Sequence, residues 1–147
     1  MSSSLIPACT DALVALLTAA LPTLPVVDGG VIGNEERAAL LVGSGFANSD
    51  HPWQHRWAGL GHAARDETFE IPCTLWVRSG DNTVKPVRDE VHGYFTAVLT
   101  TVLATPNLGI GTNSIRAQVM PSNYAPMQTP DGVVCRLDFY VNVEGRI

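Results

Sequence analysis

The side chains able to bind a metal or attack a substrate are few and scattered in this chain. His51 and His55 stand four residues apart, and His62 follows. On a helix that interval turns two imidazoles toward one zinc ion. Pro52 and the surrounding glycines argue against a helix there, so the expectation is surface or interface histidines and no metal. Cys9, Cys73 and Cys135 make an odd count with no close spacing. Cys73 and Cys135 fall in the apolar register of strands, where a thiol is inert core filling. They form a disulfide only if their strands are neighbours with suitable geometry. No Gly-x-Ser-x-Gly elbow is present, and Gly43-Ser-Gly45 lacks its flanks. The adjacent acids Glu35–Glu36, Asp66–Glu67 and Asp89–Glu90 read as solvated pairs. Gly109-Ile-Gly111-Thr follows a helix and has no lysine, so it fails as a phosphate loop and reads as a lead into a strand. No catalytic constellation and no cofactor site is specified.

The elements that carry these residues are better defined. Phe69, Ile71, Cys73, Leu75 and Val77 alternate with Glu70, Thr74, Trp76 and Arg78 over a strand from Glu67 to Arg78. Val133, Cys135, Leu137, Phe139, Val141 and Val143 alternate with polar residues and Tyr140 in a closing strand. A period of two gives each strand one buried face. Leu13, Leu16, Leu17, Ala20, Leu21 and Leu24 form one stripe of an N-terminal helix that Pro22 and Pro25 stop. Val84, Val87, Val91, Phe95, Val98, Val102 and Leu103 form the stripe of a long helix over Val84–Ala104, capped by Asp81 or Thr83. Short strands are expected at Pro25–Asp28, Ala38–Val42, Gln54–Leu60 and near Leu108. A long one is expected over Ser114–Met127, joined to the last strand by the turn Thr129-Pro-Asp-Gly132. The fold class is therefore α+β: a mostly antiparallel sheet of four to five strands packed with an N-terminal helix and one long central helix.

Length and composition set further bounds. A chain of 147 residues reads as one domain, 1–147, large enough to bury roughly 68–70% of its unfolded surface. It is 46% apolar and only 16% charged, which favours assembly through neutral contacts. The net charge of −5, with its cations scattered, argues against a nucleic-acid groove. Ala12–Leu21 is apolar apart from Thr18, but without a positive leading region it does not read as a secretory signal, and it is too short to span a membrane. Trp76 and Tyr140 stand on the polar register of their strands. Either the N-terminal helix covers that face or a neighbouring subunit does.

Taken in order, Val27-Asp-Gly29, Leu41-Val-Gly43, Trp57-Ala-Gly-Leu-Gly61, Glu67-Thr-Phe-Glu-Ile71, the long helix, Leu108-Gly109 and the closing hairpin resemble the tail terminator proteins of long-tailed, siphovirus-type bacteriophages, those of actinobacterial phages above all. The likeness spans residues 8–146. It implies a non-enzymatic virion protein at the head–tail junction, made in the host cytoplasm. It further implies a homo-hexameric ring on the tail tube protein that ends tube polymerisation and meets the head-completion proteins of the neck. DNA would pass through the lumen without specific binding, which an acidic wall suits. No cofactor and no membrane are involved. The segment Gly43–Trp57, with Trp53, His55 and Trp57, is the first candidate contact with a subunit or the tube. The hairpin tip with Pro130 and Asp131 is the second, beside Trp76 and Tyr140. A head–tail connector or head-closure protein is the alternative, and a small ligand-binding or enzymatic α+β domain the next.

Overall fold

The computed structural model describes residues 4–29, 37–43, 53–57 and 65–147. Among the described residues eight elements follow one another: α1 (Ile6–Ala20), β1 (Val26–Asp28), β2 (Ala38–Val42), β3 (Trp53–Trp57), β4 (Arg65–Ser79), α2 (Val84–Ala104), β5 (Arg116–Thr129) and β6 (Gly132–Arg146). The class is the expected α+β, but the sheet has six strands rather than four to five. The reason is the length of β4. Fifteen residues give one edge long enough for two short strands in succession: β3 pairs with its first part, Trp53↔Phe69 to Trp57↔Arg65, and β2 with its second, Val42↔Cys73 to Ala38↔Val77. The other edge pairs with β6 from Asp66↔Arg146 to Ser79↔Val133, and β5 lies outside β6. Among the described residues every pairing is antiparallel except β1 with β2.

Both helices pack on the same face of the sheet. Leu13 and Leu17 of α1 and Val91 and Val98 of α2 share one core with Phe69, Ile71, Leu75, Cys135, Leu137, Phe139 and Val141. Phe95 on α2 stacks at a tilt on Phe139, 5.3 Å between ring centres, and His92 meets Tyr124 at 4.9 Å. The N-terminal helix therefore does not cover the face that carries Trp76 and Tyr140.

Other expectations need correction. Leu103 is 83% exposed, because a residue directly after buried Val102 is rotated about 100° away from the core stripe. No strand forms near Leu108: Leu108 and Gly109 both have positive φ, 56° and 79°, which an extended strand cannot hold. Thr83 occupies the cap position of α2, yet its side chain makes no capping hydrogen bond. Cys73 and Cys135 lie on neighbouring strands, but Cys73 pairs with Phe139 and Cys135 with Val77, so the thiols are offset along the ladder and remain free and buried. The hairpin turn forms as expected, with the Thr129 hydroxyl donating to the Gly132 carbonyl and accepting from Asp131 N–H, both at 3.2 Å.

Candidate interaction surface

The sequence alternation puts Glu67 in phase with Phe69 and Ile71, so it points to the helix side and is fully buried. It is not half of a solvated Asp66–Glu67 pair. Its carboxylate collects donors from two segments, the lead into α1 and β3. The Leu5 backbone N–H donates to Oε1 at 2.6 Å, and Trp53 Nε1–H donates to Oε2 at 2.7 Å. His55 Nε2 lies 2.7 Å from the same oxygen, and Ser4 adds a further hydrogen bond. Burial alone pushes this carboxyl up; the bonds from Trp53, Leu5, His55 and Ser4 outweigh it and hold the group below the usual carboxylate range. Leu5 is the N-cap residue of α1, which has no side-chain cap and no acid in its first turn. Glu67 supplies both the acceptor and the negative charge that the start of a helix favours. The same charge, after burial, helps push the Cys9 thiol up to about 11.

Two of the residues marked in the sequence thus meet at one point. Trp53 and His55 sit on the same side of β3 and touch edge to face, 5.4 Å between ring centres. Trp53 keeps 55% of its surface open while its N–H is held by Glu67. Trp57 closes β3 against Arg65. The rest of the segment from 44 to 52, with His51, and the later His62 and Gly59–Gly61, lie outside the described residues, as do Glu35 and Glu36. Among the described residues no three His, Cys, Asp or Glu side chains stand together as metal ligands.

The face opposite the helices is graded along the strands. At one end lie Arg56, Asp66 and Arg146 in one cross-strand row, then Gln54, Thr68, Glu144 and Arg116 in the next. Arg146 Nε donates to Asp66 Oδ1 at 2.9 Å. Further along come Glu70, Asn142 and Gln118, then Pro72, Tyr140 and the exposed Met120. Trp76 lies beyond, with the Arg78 guanidinium 5.5 Å from its ring centre and Arg136 opposite it. Ala39, Leu41 and Thr74, on the β2 side of this face, are buried. A bulge at Ser122 shifts the register of β5 between Pro121 and Asn123, so Tyr124 turns to the helices and Met127 to the open face. Arginine, tyrosine, tryptophan and methionine on one sheet face are the residue types enriched where proteins meet.

Pro130 and Asp131 form the exposed tip between β5 and β6, at the opposite end from Trp53 and His55. The marked residues therefore fall into three places: the Glu67 hub, the middle of the open face, and the hairpin tip. Glu67 itself went unmarked by its sequence context, though its place in the apolar register of β4 was the signal available.

No family model matches the chain, and no curated protein matches it. Solved structures do, among them a chain from the virion of a native gene transfer agent (GTA) particle. It is 12% identical, with a TM-score of 0.43, and the match covers 98% of this chain and 100% of that one. Identity and score are both too low for that particle's role to be carried across.

Proposed function

We propose that this chain is a structural virion protein of a long-tailed phage: a tail terminator that forms a ring on the last turn of the tail tube, ends its growth and offers a surface to the neck proteins. The reading starts from the ordered motifs between Val27 and the closing hairpin. The observation that carries it here is the placement of both helices on one face of the sheet, which leaves Trp76, Tyr140, Met120 and the arginines on the other. A subunit that must touch two neighbours and a tube needs such a second face. The role is mechanical, by contact, without a cofactor or a reaction. Among the described residues no helix is long and apolar enough to cross a membrane. The acidic balance lets DNA pass without capture.

Negative-stain electron microscopy of the concentrated chain, with and without magnesium, tests the reading. Rings with a central hole are expected, either free or, if closure needs a template, at the head–tail junction of virions labelled for this chain. A chain found in the neck but not on the tail tube would be a head–tail connector or head-closure protein instead, and one absent from the junction and monomeric at every concentration a small ligand-binding or enzymatic domain.

A further inference from the structure

The two ends of the sheet differ in chemistry. Where β4 begins and β6 finishes, a trough of about 810 Å³ opens, lined by Arg56, Arg116 and Arg146, with Thr68 on its floor. Its acids are Asp66 and Glu144. Asp66 is engaged by Arg146, and Glu144 stands opposite Arg116 in the register, so the guanidinium groups outnumber the carboxylates. At the far end two exposed turns lie side by side, joined by a 2.7 Å hydrogen bond from Gln128 Nε2 to the Asn82 carbonyl. They carry Asp81 and Asp131, both exposed. Cations near them are occupied within the subunit: Arg37 by Glu90, Lys85 by Asp89 at 2.6 Å, and Arg78 by the Trp76 ring.

We infer that the acidic tip of one copy, Asp81 and Asp131, docks in the arginine trough of a second copy. The inference builds on the ring reading and specifies its contact. One copy cannot fill its own trough. The ladder from Asp66 to Ser79 separates the two sites by roughly 43 Å at about 3.3 Å per residue. Two unlike surfaces at opposite ends of one subunit make a heterologous, head-to-tail contact, which closes into a ring when the rotation permits. Planar guanidinium groups donate to a carboxylate in a bidentate fork, and at this exposure the attraction weakens with salt. Six copies on such a repeat close a circle roughly 80–90 Å across at mid-chain.

Directed disulfide formation tests the contact. Thr68→Cys in one chain marks the trough floor and Pro130→Cys in another marks the tip; both positions are exposed, and the three native cysteines are buried. After mixing and oxidation, the disulfide dimer holding one of each is expected at five-fold or greater excess over either like-with-like dimer. Adding Arg116→Glu to the Thr68→Cys chain should cut its yield at least five-fold, and Asp131→Arg on the other chain should restore it. No mixed dimer, equal amounts of all three dimers, or a yield indifferent to Arg116→Glu overturns the inference. Rings that persist unchanged in the Arg116→Glu chain keep the ring reading and refute this contact. A mixed dimer with no ring, either free or at the head–tail junction, does the reverse.

Discussion

Gly132 lies directly against the carbonyl oxygen of Ser79: a Cβ at Gly132 would stand 2.0 Å from that oxygen and 3.0 Å from the Gly80 Cα. Its φ of +136° is also one that side chains avoid. The β5–β6 turn and the end of β4 thus close on each other at a point where only hydrogen fits. Gly132→Ala is expected to cost roughly 2–4 kcal/mol, from backbone strain plus displacement of β4. Gly109→Ala, with φ of +79° but open space around it, should cost about 1 kcal/mol. Thermal melts of both variants check this; equal losses would show that strain, not the Ser79 contact, dominates.

Glu67 gives the fold a pH dependence with a definite sign. Its folded pKa lies below the ordinary value of 4.5, so its contribution is present above that value and is lost as pH falls through the depressed one. Glu67→Gln keeps the shape but removes the charge, and should cost about 1–3 kcal/mol at pH 7. Urea unfolding at pH 7 and below pH 4 should show the gap between wild type and variant shrinking on acidification. A gap constant with pH would mean that the carboxylate's charge does not matter to α1.

The two sides of α2 differ in what they cost. Val98 is fully buried, and Val98→Ala is expected to destabilise by roughly 1–3 kcal/mol through lost burial and a small cavity. Leu103→Ala, at an exposed position, should stay within about 0.5 kcal/mol. Denaturant midpoints compare them. A large loss at Leu103 would place that side chain in a contact between copies or in a core different from the one described.

The thiols should be silent in the folded chain. Burial pushes Cys73 up to about 12 and Cys9 to about 11, and Cys135 is equally enclosed. A chromogenic disulfide reagent at pH 8 should label none of the three without denaturant and all of them with it. Rapid native labelling of one would reveal an opening near that strand or helix.

Legibility in the sequence followed how local each signal was. The bounds of α2 were readable in full, because an apolar stripe of period 3.6 lies between Asp-Asn-Thr and Thr-Pro-Asn, both poor in helix formers. The faces of β4 and β6 followed from strict alternation. Trp53 and His55 were marked as aromatic residues in an irregular segment, but their meeting point was not: Glu67 looks like half of an ordinary acidic pair until the chain brings Leu5, Trp53 and His55 around it. Leu103 misled because it adjoins a true core residue. The placement of α1 was undetermined for a similar reason, since an amphipathic stripe states that a face is buried and not which side of the sheet buries it. The bulge at Ser122 is a matter of register, which pairing decides and no single strand reveals.

One consequence concerns the order of synthesis. α1 precedes every other described element along the chain, yet the acceptor for its N-cap amide arrives 62 residues later, and α2, which packs against it, later still. Until Glu67 emerges, the nascent helix ends in an uncapped amide and has neither β4 nor α2 against its row of leucines, and a 15-residue helix in that condition is marginal in water. The N-terminal segment is therefore a late participant in its own fold, its docking governed by long-range closure rather than by its early birth. Chains stalled before residue 67 should leave it open to protease, and chains released beyond β6 should protect it.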